Sequence, residues 1–84
     1  MKAVVWSKNY CPYCVAAKDL LSDMGVEIEE RRVGDGYTRE QFMESNPGKR
    51  TVPQIYIEGD HIGGYDDLLK YIETTGFNGT GNSL

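Results

Sequence analysis

The sequence predicts an α/β fold in which three helices pack on one mixed four-stranded sheet, in the order β-α-β-α-β-β-α. Three observations support this prediction. The chain has 84 residues, which is enough for one domain. Short β-branched runs alternate with amphipathic segments, and glycine or proline separates them. We expect the domain to span residues 1–76, and the Gly- and Asn-rich residues 77–84 to form a flexible C-terminal tail.

The first half of the chain predicts a βαβ unit. Residues 2–7 form a short apolar run that is typical of a buried strand. From Ala17 to Met24, apolar side chains recur at the spacing of an amphipathic helix, and Gly25 suits the C-terminal cap. Residues 26–33 predict a second strand, and its many charges favour an edge position.

The second half predicts a helix, a hairpin and a final helix. Thr38 to Gln41 fits a capping box, and the helix that it begins should end before Pro47. Residues 51–57 and 61–63 predict two strands joined by a tight turn. Residues 65–76 again show helical spacing and end on a glycine.

Charge and composition exclude several classes of function. Lys and Arg number 9 against 13 Asp and Glu, a net charge of −4, and no basic cluster is long enough to follow a phosphate backbone. We therefore expect no nucleic-acid partner. No apolar run approaches the ~20 residues of a membrane span, and the N-terminus lacks the apolar stretch of a signal peptide. We expect a cytoplasmic monomer with no membrane partner.

The most informative feature is the pair Cys11 and Cys14, with Pro12 and Tyr13 between them. In a reducing compartment, such a pair is more often catalytic or metal-binding than structural. A zinc site would need further ligands, but there is no third cysteine, and His61 is the one imidazole. An inert buried pair is the other alternative. A strand, this motif and then a helix favour redox chemistry.

The same arrangement makes the two cysteines unequal. Cys11 should stand at the helix N-terminus and Cys14 within the first turn. The thiolate is the attacking form, yet an ordinary thiol, with a pKa of about 8.5, is only a few per cent ionised at neutral pH. The helix dipole, free N–H groups and the ammonium of Lys8 are the expected stabilisers of a Cys11 thiolate. We predict Cys11 as nucleophile and Cys14 as resolving thiol, forming a redox-active disulfide.

Three motifs together resemble those of the dithiol glutaredoxins. They are Cys11-Pro-Tyr-Cys14, Thr51-Val-Pro53 and Gly63-Gly-Tyr-Asp-Asp67. The resemblance extends from about residue 2 to residue 76. It implies the thioredoxin-like (glutaredoxin) fold, with the first two strands parallel and the other two antiparallel beside them.

The resemblance also implies glutathione as cofactor. In the family, a cis peptide bond precedes the motif proline, here Val52–Pro53, and the backbone of Val52 meets the cysteinyl part of glutathione. Asp67 would accept a hydrogen bond from the γ-glutamyl ammonium, and Lys8 would meet the glycyl carboxylate. Arg39 or Gln41 are further candidates for that carboxylate. The residues implied in glutathione binding are Lys8, Cys11, Tyr13, Thr51, Val52, Pro53, Gly64, Tyr65, Asp66 and Asp67.

The implied activity is glutathione-dependent reduction of glutathionylated proteins and protein disulfides, with no resident metal. Two alternatives remain open. One is a redoxin that takes electrons from thioredoxin reductase and reduces ribonucleotide reductase, against which Lys8 and Asp67 argue. The other is a carrier of an iron–sulfur cluster held by Cys11 and glutathione between two chains, which Pro12 disfavours. Tyr65 departs from the small residue or cysteine common in the family, and we expect it to narrow the groove or to change which protein partners fit.

Overall fold

A computed structural model of the chain describes residues 1–76, and within them the predicted order of four strands and three helices is confirmed. The tail expected at residues 77–84 lies outside the described residues. None of these helices has the length and apolar character needed to cross a membrane. The elements are β1 (Lys2–Lys8), α1 (Pro12–Asp23), β2 (Glu27–Val33), α2 (Arg39–Ser45), β3 (Gln54–Ile57), β4 (Asp60–Gly63) and α3 (Tyr65–Thr75).

The four strands form one mixed sheet in the order β2-β1-β3-β4. β1 pairs in parallel with β2, antiparallel β3 flanks its other side, and β4 returns antiparallel to β3. The predicted thioredoxin-like arrangement is therefore confirmed. β2 lies at the edge, as its charged sequence indicated.

Helices cover both faces of the sheet. Alternate side chains of β1 point to opposite faces, and apolar side chains of β1 are buried on both of them. On one face, Ala3 and Val5 are fully buried in a core to which α1 and α3 contribute. On the other face, Trp6 packs edge-to-face against Phe42 of α2, with ring centroids 5.7 Å apart. The core cluster of buried residues consists of Ala3, Val5, Ala17, Leu21, Val26, Ile55, Ile57 and Leu68.

Four strand boundaries differ from the sequence prediction, and the first is the end of β1, which lies at Lys8 rather than at residue 7. β3 begins at Gln54 rather than at residue 51, because Pro53 has no N–H for the ladder and pairing with β1 starts only at Trp6 opposite Gln54. β2 begins one residue later than expected, at Glu27, and β4 begins one residue earlier, at Asp60. Residues 51–53 thus form a loop at the end of the sheet.

The predicted start of α2 is confirmed in detail. Thr38 Oγ1 accepts a hydrogen bond from the Gln41 N–H at 3.1 Å, and Gln41 Oε1 accepts one from the Thr38 N–H at 2.7 Å. Both halves of the capping box are therefore present.

Candidate active site

The cysteine pair lies at the N-terminus of α1, where the sequence placed it. Cys11 is the N-cap residue, Pro12 is the first helical residue, and Cys14 lies in the first turn. A disulfide joins Cys11 to Cys14. The backbone N–H of Cys14 donates to Cys11 Sγ at 3.2 Å, so an N–H of the first turn already points at the predicted nucleophile.

The two sulfurs are unequally accessible. Cys11 is 8% exposed, whereas Cys14 is 1% exposed and belongs to the interior. Around them, Tyr10 and Tyr13 are open to solvent. A disulfide that approaches from outside therefore meets Cys11 first.

The loop before β3 lies directly beside Cys11. The Val52–Pro53 peptide bond is cis, as the resemblance implied, and Cys11 Sγ lies 3.9 Å from the carbonyl oxygen of Val52. Pro53 is buried, whereas Val52 is partly exposed. The backbone of Val52 is thus within reach of a chain segment that is bound to Cys11.

A groove of about 250 Å³ adjoins this loop on the α3 side. Eight of the ten residues that the resemblance implied in glutathione binding line it together, and we call it the α3 groove. The other two, Lys8 and Cys11, lie outside its lining. The lining residues are Tyr13, Thr51, Val52, Pro53, Gly64, Tyr65, Asp66 and Asp67.

The N-terminus of α3 shapes one end of the α3 groove. Asp67 Oδ2 accepts a hydrogen bond from the Gly64 N–H at 3.0 Å, so Asp67 caps the helix. Gly63 has φ +120°, and a Cβ there would overlap the Asp67 carboxylate. Gly64, in contrast, has φ −85°, and a Cβ there would lie 3.6 Å from the Pro53 oxygen. The first glycine is required by the fold, and the second leaves space in the groove.

Two tyrosines form an aromatic wall of the α3 groove. The rings of Tyr13 and Tyr65 have centroids 6.0 Å apart and planes tilted by 35°. Tyr65 also packs against the core, whereas Tyr13 is 63% exposed. The Tyr65 ring therefore forms part of the lining of the groove.

A second, larger groove of about 680 Å³ lies on the α2 side of the same loop. Lys8 and Arg39 line it, whereas the side chain of Gln41 is used in the capping box. This groove shares Thr51 and Val52 with the α3 groove. Its lining residues are Lys8, Val33, Arg39, Phe42, Met43, Lys49, Arg50, Thr51 and Val52.

The sequence did not predict a carboxylate network that centres on Glu30 of β2. Glu30 Oε2 accepts hydrogen bonds from Ser7 Oγ at 2.6 Å, Lys18 Nζ at 2.7 Å and Arg32 at 3.1 Å. Burial raises the pKa of Glu30, but these hydrogen bonds outweigh burial and lower the pKa to about 2. Lys18 and Arg32 also line a third groove with Cys11. The network ties α1 to the first two strands.

His61 is used in packing and hydrogen bonding. His61 stacks on Tyr56 with ring centroids 4.5 Å apart, and its Nε2 lies 2.7 Å from Gln54 Oε1. Within residues 1–76, no three His, Cys, Asp or Glu side chains lie close enough together to hold a metal ion.

The fold and the cysteine pair define a thiol–disulfide oxidoreductase of the thioredoxin-like class. Residues 3–62 match the family model described as Glutaredoxin, and the chain belongs to the glutaredoxin family. It is 44% identical over 64 residues to Glutaredoxin 3 of Escherichia coli K12. This match covers 76% of this chain and 77% of the E. coli protein. It is 40% identical over 78 residues to Glutaredoxin-C4 of Arabidopsis thaliana, covering 87% of this chain.

The match to the Arabidopsis protein spans 56% of that protein's length. Among solved structures, a buckwheat glutaredoxin–glutathione complex superimposes with a TM-score of 0.74 and 30% sequence identity. That match covers 86% of this chain and 68% of the buckwheat chain.

Proposed function

We propose that this chain uses glutathione to reduce glutathionylated proteins and protein disulfides, with Cys11 as nucleophile and Cys14 as resolving thiol. The observation that supports this proposal is the α3 groove. Eight of the ten residues implied by the resemblance line it, and the carbonyl oxygen of one of them, Val52, lies 3.9 Å from Cys11 Sγ. The solved buckwheat relative is a glutathione complex.

The α3 groove and the adjoining groove on the α2 side together suit a tripeptide with charged ends. Val52 offers backbone groups next to the reacting sulfur, as in the addition of a β-strand. At one end, Asp67 and the first turn of α3 offer an acceptor and N–H donors to the γ-glutamyl ammonium and carboxylate. At the other end, Lys8 offers a cation to the glycyl carboxylate. In this proposal, glutathione is the reducing substrate.

The reaction is a pair of thiol–disulfide exchanges. The Cys11 thiolate attacks the glutathione sulfur of a glutathionylated protein, forms a mixed disulfide and expels the protein thiolate. The thiolate of a second glutathione attacks the glutathione sulfur of this mixed disulfide. Glutathione disulfide leaves, and the Cys11 thiolate is restored. With a protein disulfide, the Cys14 thiolate instead attacks Cys11 Sγ, releases the protein thiolate and leaves the Cys11–Cys14 disulfide. Two glutathione thiols reduce that disulfide to the dithiol and are themselves oxidised to one glutathione disulfide.

The steric positions of the sulfurs support this division of roles. Cys11 is the more exposed of the two, and the Cys14 N–H that points at its sulfur would stabilise a thiolate there. Cys14 is buried and is bonded to the sulfur of Cys11. In this proposal the enzyme acts as a cytoplasmic monomer, and its partners are glutathione and disulfide-containing proteins.

The test compares two electron sources for the same enzyme. Reduction of a glutathionylated peptide is followed as NADPH oxidation, once with glutathione and glutathione reductase and once with thioredoxin reductase alone. We expect turnover in the first system and none above background in the second. Turnover with thioredoxin reductase alone would favour the redoxin alternative, including electron donation to ribonucleotide reductase.

A further inference from the structure

The groove on the α2 side of the Val52 loop is strongly cationic. Four of its lining residues, Lys8, Arg39, Lys49 and Arg50, carry positive charge, and none is acidic. The chain as a whole has 9 basic residues and a net charge of −4. We call this groove the cationic groove. Nearly half of the positive charge of an acidic protein is therefore gathered around one cavity.

These four cations have no counter-ions within residues 1–76. The ion pairs in that part of the chain use Lys2, Lys18, Arg31 and Arg32, which bind carboxylates of β2 or of the turn after it. The four basic side chains of the groove, in contrast, are exposed and form no ion pair with residues 1–76. Their charge is available to a ligand.

The charge is also arranged along the line on which a substrate would lie. The cationic groove and the α3 groove meet at Thr51 and Val52, beside Cys11. The far end of the α3 groove carries Asp66 and Asp67. A chain segment held along Val52 would thus have acidic residues near one end and four cations near the other. The single glycyl carboxylate of glutathione leaves most of that positive charge unmatched.

We propose that the cationic groove selects protein disulfides in which acidic residues follow the reactive cysteine in sequence. This inference rests on the proposed function, which sets the direction of the bound chain. The residue before the cysteine of glutathione points to Asp67, and the glycine after it points to Lys8. A protein segment bound in the same direction places the residues after its cysteine in the cationic groove, and acidic side chains there meet Lys49 and Arg50.

The chemical step is that of the protein-disulfide reaction. The Cys11 thiolate attacks one sulfur of the substrate disulfide, forms a mixed disulfide with the acidic segment and expels the other substrate thiolate. The Cys14 thiolate then attacks Cys11 Sγ and releases the acidic segment as a thiolate. Groove cations accelerate association and favour the mixed disulfide electrostatically. This effect is screened by salt.

The test uses three cysteine peptides, each as its symmetric disulfide. One has three Glu after the cysteine, one has the same three Glu before it, and one has Gln in their place. The fully reduced wild-type protein is mixed with each peptide without glutathione, and appearance of peptide thiol is followed. Rates with dithiothreitol correct for the intrinsic reactivity of each disulfide. At low salt we expect the first peptide to react about tenfold faster than the Gln peptide, and the second to react no faster than the Gln peptide. In 0.5 M NaCl, we expect most of the preference to be lost.

The variant K49Q/R50Q isolates the groove, and K70Q is the matched control because Lys70 is an exposed cation of α3 outside this lining. We expect K49Q/R50Q to reduce the preference for the first peptide over the Gln peptide about threefold or more, and K70Q to retain it. The reversal K49E/R50E should make the Gln peptide the better substrate.

Each outcome separates the two proposals. Equal corrected rates for the three peptides, or a preference that K49Q/R50Q retains, would overturn the acidic-substrate inference and leave the glutathione reaction intact. Failure of the reduced protein to exchange with any peptide would instead count against the proposed function.

Discussion

Cys11 Sγ lies 3.9 Å from the carbonyl oxygen of Val52, a residue 41 positions further along the chain. The contact joins the N-terminus of α1 to the loop before β3, and it lies where the α3 groove and the cationic groove meet. The reacting sulfur and the backbone that would hold a bound peptide are therefore neighbours. The position of the sulfur depends on α1, and that of the backbone depends on the central strands.

Substitution of Asp67 separates its structural role from ligand binding. Asp67→Asn keeps an oxygen that can accept from the Gly64 N–H but removes the charge. We expect the free energy of unfolding to change by no more than about 0.5 kcal/mol. The KM for glutathione should rise about fivefold, equivalent to about 1 kcal/mol of lost charge pairing. Urea denaturation and the glutathione-reductase-coupled assay measure the two effects.

Asp67→Ala is the matched variant, because it also removes the cap of α3. We expect an additional loss of about 1 kcal/mol in the free energy of unfolding. A KM for glutathione that stays at the wild-type value in Asp67→Asn would show that Asp67 serves only as a helix cap.

The two glycines before α3 should respond in opposite ways to alanine. Gly63→Ala places a methyl group at φ +120°, where it overlaps the Asp67 carboxylate. This substitution should lower the free energy of unfolding by about 1–3 kcal/mol. Gly64→Ala makes only an ordinary contact with the Pro53 oxygen. It should change stability by no more than about 0.5 kcal/mol but raise the KM for glutathione, because the methyl group enters the α3 groove. Equal stability of the two variants would contradict this assignment.

The Glu30 network predicts how stability depends on pH. The pKa of Glu30 in the folded protein is about 2, below its ordinary value of 4.5. Its contribution is therefore complete above about pH 5 and is lost as the pH falls from 4.5 towards 2. Because Glu30 is partly exposed and its ion pairs are screened by solvent, this contribution is on the order of 1–2 kcal/mol. Urea denaturation between pH 7 and pH 2 should show a steeper loss of stability for the wild type than for Glu30→Gln. Parallel pH profiles would exclude Glu30 as the source.

Local signals were sufficient to predict much of the fold from the sequence. Pro12 after Cys11 marks the start of α1, and the capping box from Thr38 to Gln41 marks the start of α2. Such signals involve residues within one helical turn, so they are visible without knowledge of the tertiary structure. The start of β3 was less accessible, because it depends on where Gln54 meets Trp6 across the sheet.

The charged features depend on contacts between distant segments, and the sequence did not reveal them. Lys49 and Arg50 form only a short basic pair in sequence, and the fold brings them to the groove that Lys8 and Arg39 also line. In the same way, Glu30 of an exposed-looking edge strand meets Lys18 of α1. The resemblance implies the glutathione-binding residues, and the fold gathers eight of them along the α3 groove.

The most direct test of the roles of the two cysteines is a rate measurement on Cys11→Ser and Cys14→Ser. The initial rate of glutathione release from a glutathionylated peptide is measured for each variant, with glutathione and glutathione reductase present. Since the reaction needs only one exposed thiolate, we predict that Cys14→Ser retains most of the wild-type rate. Cys11→Ser should be inactive above the uncatalysed background. A Cys11→Ser protein that still releases glutathione would contradict the assignment of Cys11 as the nucleophile.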